Sequence, residues 1–321
     1  MKGAIPRNMY TDMNGKRRLK ICLHTHTTQS DGHKTPEEAI GIYTALGYDA
    51  IALTDHWTYT PAHMTREGLK LLPGCEYNIG GNNGPEGVYH IVGIGMTQDP
   101  GIDNAEMNRN DVPVAERARA IIQAIREAGG IAIFAHPAWS LNTPEQILAV
   151  GGFDALEIYN SVSEAGMSDR PYSGLLVDMI AGAGCCPPLV ATDDTHYYAG
   201  EEGRGFIMVE FDAVEAAGGG MPGLMQAIKD NRFYASQGPE IHLTREDDKT
   251  LRLTCSPCEK IVFMSNIVWT RGRVTRGEAL TEATYTLHPG DTFVRAEVTD
   301  KDGRCAWSHI IKIQAGTHSL S

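Results

Sequence analysis

Two histidines one residue apart, His24-Thr-His26, follow a short apolar run, Leu19-Lys-Ile-Cys-Leu23. Alternate residues of an extended strand share a face, so both imidazoles reach one side of a sheet end, where neutral nitrogens suit a transition-metal ion. Asp31-Gly32 follows on a loop. There a hard carboxylate can turn back toward the same place, and the glycine permits the turn. Taken alone, the two histidines could equally be ordinary polar residues at a strand end, so the rest of the chain decides.

The pattern recurs along the chain. Asp49-Ala-Ile-Ala-Leu-Thr54 runs into Asp55-His56-Trp57, and Leu71-Leu-Pro-Gly-Cys-Glu76-Tyr-Asn78 is a third strand that carries a carboxylate. A Gly/Asn-rich turn at residues 80–84 leads to a strand from Val88 to Gly95 that contains His90. Ile131-Ala-Ile-Phe134 ends in Ala135-His136-Pro137, Ala155 to Tyr159 ends in Asn160, and Pro188 to Thr192 ends in Asp193-Asp194-Thr-His196. The candidate ligands are therefore His24, His26, Asp31, His56, Glu76, His90, His136, Asp194 and His196. One ion takes three or four protein ligands, so such a set implies two or three divalent ions, with manganese, iron or zinc as the candidates.

Helices must hold these strands apart. Thr35-Pro36-Glu37-Glu38 supplies an N-cap and a proline at the first helical position, and Ala39, Ile42, Tyr43 and Leu46 recur at helical spacing before Gly47. Residues 113–129 carry Ala115, Ala118, Ile121, Ile122 and Ile125 as an apolar stripe closed by Gly129-Gly130, and further helices are expected near 143–150 and 172–183. Alternation of about seven strands with helices, with functional groups at the strand ends, predicts a distorted (β/α)7 barrel related to the TIM barrel over residues 1–238. From 239 to 321 the segments alternate apolar and polar residues without helices, which predicts a small antiparallel β-sandwich domain. Its histidines, His242, His288, His309 and His318, form no ligand-like cluster in the sequence.

The chain has 321 residues, 42% of them apolar, enough for a full core. Lys plus Arg total 28 against 40 Asp plus Glu, a net charge of −12, which argues against nucleic acid as the main partner. No apolar run reaches a membrane span, and the N-terminus lacks the apolar core of a signal peptide. The expected location is cytoplasmic, with no membrane partner. Seven cysteines, including Cys185-Cys186 and Cys255-x-x-Cys258, suggest reduced thiols rather than a disulfide framework.

These motifs resemble the PHP family, the polymerase and histidinol phosphatase superfamily of metal-dependent phosphoesterases. The likeness spans roughly residues 19–237 and rests on His24-Thr-His26-Thr-x-x-Ser-Asp31-Gly32, Thr54-Asp55-His56, Gly74-Cys-Glu76, His90, Ala135-His136-Pro137 and Asp194-x-His196. The resemblance implies a first ion on His24, His26, Glu76 and Asp194, with Glu76 bridging to a second on His90 and His136. A third would lie on Asp31, His56 and His196. Glu76, Asp194 and His196 are the expected catalytic members. The implied reaction is hydrolysis of a small phosphate mono- or diester by a hydroxide bridging two ions. The branch with a trailing β domain also includes hydrolases of carbamate esters, so a carboxyl or carbamate ester is the alternative substrate. Arg204 and Asn160 are the candidate contacts to substrate, and Asp55 and Asp193 are placed to orient imidazoles.

Overall fold

The computed structural model describes residues 10–65, 68–81, 86–109 and 111–313. His318 and the middle of the Gly/Asn-rich turn lie outside the described residues.

The helices form where capping and periodicity place them. Thr35 accepts a hydrogen bond from the Glu38 amide while the Glu38 carboxylate accepts from the Thr35 amide, and Pro36–Ala45 follows. Thr143 and Gln146 repeat this box at the start of Pro144–Val150. Val114–Glu127 buries Ala118, Ile121, Ile122 and Ile125, and Gly174–Gly182 fills the fourth expected position.

The strands depart from a closed barrel. They form two sheets, one of five strands and one of thirteen. The five-stranded sheet runs Leu189–Thr192, Ala155–Asn160, Ile131–Phe134, Val88–Ile94, Gly74–Gly80. Its first three strands are parallel and its last two pairings antiparallel. In the larger sheet Arg17–Cys22 lies parallel to Ala50–Ala52, which lies parallel to Lys70–Leu72. The third predicted strand is thus cut in two at Pro73, and its halves join different sheets. Proline has no N–H to continue a ladder, which makes that position a natural break. The connection from Gly80 to Val88 is also too short for a crossover helix, so these neighbours must run antiparallel.

The expected ring of seven parallel strands is therefore replaced by two open sheets that touch at two seams. At one seam, Thr25 and Thr195 form an isolated parallel bridge, with the His26 amide donating to the Thr195 carbonyl and the Asp194 amide to that of His24. At the other, His56 bridges Glu76, and the Trp57 amide donates to the Glu76 carbonyl. Both seams are made by candidate ligands. A single buried cluster, including Ile21, Leu23, Ala52, Ile94, Ile133 and Val190, draws on both sheets and locks them face to face.

Beyond residue 240 all the strands are antiparallel, as their alternation predicts, but they extend the larger sheet rather than forming a separate pair of layers. Ala235 of Phe233–Ser236 pairs with Trp307 of Cys305–Trp307, which makes the ladder continuous. The seven cysteines are free thiols.

Candidate metal centre

The two seams and the ends of the neighbouring strands gather all nine predicted ligands into one place. Glu76 is at the middle. Its Oε1 lies 2.9 Å from His90 Nδ1, 3.3 Å from His24 Nε2 and 3.5 Å from His136 Nε2, and its Oε2 lies 3.1 Å from both His26 Nε2 and His56 Nδ1. Asp194 Oδ1 is 3.1 Å from the Nε2 atoms of His24 and His26, which are themselves 3.2 Å apart. Asp31 Oδ1 lies 3.4 Å from His196 Nε2 and 3.5 Å from His26 Nδ1, with its Oδ2 3.7 Å from His56 Nε2.

These spacings are those of ligand atoms around a shared cation. Ligand bonds of about 2.1 Å in tetrahedral or octahedral geometry put neighbouring donors roughly 3.0–3.4 Å apart. Three donor groups are compact enough: His24, His26, Glu76 and Asp194; His26, Asp31, His56 and His196; and His56, Glu76 and His90. The first is the expected first set, and the second is the expected third set with His26 added. The third has His56 where the resemblance implies His136, whose Nε2 approaches Glu76 from another side and stands 3.8 Å from Asp194 Oδ2. Asp194 Oδ1 and His56 Nδ1 are also buried without a hydrogen-bond partner among the described residues, a costly arrangement that a cation would relieve. The donor set fits divalent metal ions.

Backing groups fix which nitrogen faces the centre. Nδ1 of His24 faces Glu157 Oε1 at 2.8 Å, Nδ1 of His136 faces Ser140 Oγ at 3.1 Å, and Nδ1 of His196 donates to the Asp194 carbonyl at 2.7 Å. Each directs Nε2 toward the carboxylates, the orientation that a metal requires. Glu157 is absent from the ligands and contacts expected from the sequence, yet it is fully buried and also accepts from the His136 amide, Asn160 Nδ2 and Thr192 Oγ1. Its local signal is a lone acid inside the buried strand Ala155–Asn160. Trp139, likewise unexpected, packs edge-on against His136 and His90 with ring centroids 4.9 and 5.7 Å away.

Electrostatics sort the imidazoles into two kinds. Burial acts to lower His24, but Asp194, Glu76 and Glu157 outweigh it and hold its pKa well above the ordinary value; His26 rises to about 9 against the same burial because of Asp194 and Glu76. Burial wins at His56, pushed down to about 4, and it also lowers His90. Glu76 resists burial through His24, His90 and His56, and its pKa falls well below the usual carboxylate range. Without a cation, protons on His24 and His26 stand in for its charge.

Backbone conformation at the site is unusual. His136 and Asp194 have φ of 27° and 51°, left-handed values that β-carbon-bearing residues rarely adopt. The His136 amide is tied to Glu157 Oε2 at 2.9 Å and the Asp194 amide to the His24 carbonyl at 3.0 Å. Gly32 permits the return of Asp31, because a Cβ there would sit 2.5 Å from the His26 carbonyl carbon.

The remaining expected residues are placed differently. Asn160 is fully buried and donates to Glu157 Oε2 and Asp194 Oδ2, while its Oδ1 accepts from Ser163, so it positions a ligand. Arg204 is half-exposed and paired with Glu164 Oε2 at 2.7 Å, an oxygen that also accepts from the Tyr159 hydroxyl. Among the described residues, neither Asp55 nor Asp193 bonds an imidazole. Asp55 accepts from the Thr27 amide and hydroxyl and from Ser30, and Asp193 accepts from Tyr43 and the amides of Gly203, Arg204 and Gly205, so both brace loops. His242, expected outside any cluster, groups with Asp12 and Glu240, but Arg18 already pairs with Asp12 at 2.7 Å.

No family model matches the chain. Over 97% of its length the chain is similar to a two-domain protein from Bacteroides vulgatus containing a predicted PHP-like metal-dependent phosphoesterase, with 99% of that chain covered, 16% identity and a TM-score of 0.49. An amidohydrolase from Chromobacterium violaceum, with bound sulfate and no metal, is similar over 56% of this chain and 89% of that one, at 19% identity and a TM-score of 0.40. In sequence, 81 residues are 35% identical to the 5'-3' exoribonuclease Rnm of Salmonella typhimurium and of Escherichia coli. That segment is 23% of this chain and spans 27% of the length of those relatives.

Proposed function

We propose that the chain is a metal-dependent hydrolase that cleaves a small phosphate mono- or diester. The observation that carries this reading is the meeting of six imidazoles and three carboxylates around Glu76 at the spacing of shared-cation ligands. His24, His26, Glu76 and Asp194 would hold one divalent ion, Glu76, His90 and His136 a second, and Asp31, His56 and His196 a third. Ions so held activate water and offset the charge that grows on a phosphoryl group.

The chain's own residues supply the rest. Glu157 directs His24 Nε2 toward the carboxylates, and Asn160 fixes Asp194. Exposure rises from His24 at 0% and Glu76 at 1% through His196 at 12% and His56 at 18% to Asp31 at 56%. Substrate therefore enters from the side of Asp31, His56 and His196. Arg204 reaches a phosphate only by leaving Glu164, so that pair would tune anion binding. A protein of net charge −12 repels an anionic ester overall, and local positive charge at the centre offsets that.

The test is purification without chelators, elemental analysis, and a panel of phosphate monoesters, phosphate diesters, single-stranded RNA, and carboxyl and carbamate esters with Mn²⁺, Fe²⁺ or Zn²⁺. The proposal expects at least two ions per chain and phosphate-ester hydrolysis that chelation abolishes and metal restores. Turnover confined to carboxyl or carbamate esters would overturn the phosphoesterase reading, and less than one ion per chain after reloading would overturn the metal centre.

A further inference from the structure

The larger sheet carries a long hairpin, Thr250–Ser265 paired with Val274–Thr286, and its tip is chemically unlike the rest of the protein. Val268 is 96% exposed and Trp269 76%, with Val274 half-exposed beside them. From Lys260 to Gly277 the sequence contains Lys260, Arg271, Arg273 and Arg276 and no Asp or Glu, in a chain whose net charge is −12. Among the described residues Arg271, Arg273 and Arg276 form no ion pair with a carboxylate.

The tip is held in this presentation. Asn266 donates to the Gly290 carbonyl and accepts from the Thr292 amide, Arg273 donates to Thr270 Oγ1 and Ser265 Oγ, and the Phe263 amide donates to the Arg273 carbonyl. Asp291, in the adjoining turn, is buried and accepts from the Tyr285 hydroxyl and the His288 amide, so it does not neutralise the arginines. An ordered turn thus holds a tryptophan and a valine in water, close in the chain to Arg271 and Arg276, which pair with no carboxylate among the described residues.

We propose that this hairpin tip docks on an anionic lipid surface, with Val268 and Trp269 entering the headgroup boundary and Arg271 and Arg276 pairing with lipid phosphates or carboxylates. Tryptophan favours that boundary because its ring is apolar and its N–H remains wet, and arginines beside it add attraction to anionic headgroups. The fully exposed aliphatic Val268 favours lipid over single-stranded nucleic acid, whose binding uses aromatic stacking and gains little from a branched alkyl group. No described helix is long and apolar enough to cross a membrane.

The test is co-sedimentation of the full chain with phosphatidylcholine vesicles, with and without roughly a third phosphatidylserine. Binding should require phosphatidylserine, weaken with added salt, and fall by about tenfold or more in the Val268→Ser, Trp269→Ser double variant and in Arg271→Gln, Arg276→Gln. Brominated lipid should quench wild-type tryptophan fluorescence and spare the Trp269→Ser protein. Val268, Trp269 and Arg271 are at the exposed tip and Arg276 is an exposed position of the strand beside it, so an unchanged thermal midpoint checks that folding is intact. Absence of vesicle binding would overturn the proposal, as would binding that ignores the substitutions. So would single-stranded RNA bound through these residues in place of vesicles, or a dimer that the substitutions dissociate.

Discussion

Glu157→Gln isolates the contribution of a residue that touches no metal. Glu157 Oε1 accepts from His24 Nδ1 at 2.8 Å and Thr192 Oγ1 at 2.7 Å, and Oε2 accepts from the His136 amide at 2.9 Å and Asn160 Nδ2 at 2.8 Å. Glutamine presents one oxygen and one NH2 group, so one of these donor pairs must face another donor. If the NH2 faces His136 and Asn160, a backbone N–H and an amide are left unsatisfied in a buried site, each costing about 1–3 kcal/mol. If it faces His24, the Thr192 hydroxyl rotates to accept, but Nδ1, now opposite a donor, must give up its proton, and the neutral imidazole keeps its remaining proton on Nε2, which points at Glu76 and Asp194. The second arrangement leaves no buried donor unpaired, and it blocks a ligand nitrogen. Metal affinity should therefore fall about 10- to 100-fold, or about 1.4–2.8 kcal/mol, with the fold intact. Chelator competition measures the affinity and a thermal melt checks the fold. Thr192→Val, which removes only a hydroxyl, should stay within about threefold of wild type. A Glu157→Gln protein that binds metal within about twofold of wild type would refute the tautomer argument.

Three further outcomes follow from the same geometry. Glu76 touches His24, His26, His56, His90 and His136, so Glu76→Gln should reduce metal stoichiometry by more than one ion, whereas His136→Asn should cost at most one; elemental analysis distinguishes them. His26 has a folded pKa of about 9, raised above its ordinary 6.5, so in the metal-free protein its stabilisation is fully present below pH 6.5 and is lost as pH rises through 9. The metal-free thermal midpoint should fall across that window. Metal binding at pH 7 should release protons, which calorimetry in buffers of different ionisation enthalpy would detect.

The candidate ligand set is legible in the sequence because each member carries its own local signal. His24 and His26 share parity after an apolar strand, and Asp194-x-His196 repeats that spacing, so short-range geometry is enough to group them. The expected barrel fails in one stretch. Between Trp57 and Gly95 the described residues form short strands, and Gly74–Gly80 pairs antiparallel with Val88–Ile94, where a (β/α)7 barrel requires parallel strands. By its neighbours Pro73 reads as a residue within one strand, although its missing N–H marks the point where the two sheets part.

The residues behind the ligands are harder to see because their partners are far away in sequence. Glu157 lies 133 residues from His24, and the Arg18–Asp12 pair meets Glu240 and His242 only when the last strands join the first sheet. Periodicity reports which face a residue takes within its own element and carries nothing about the element it will meet. A buried charge leaves a trace all the same. It cannot stay in an apolar strand without donors, and Glu157, between Leu156 and Ile158, requires several on that ground alone. The same requirement holds for every charge inside an apolar run, and here it points to the layer of groups behind the ligands, with Asn160 at the end of the same strand as one of the donors.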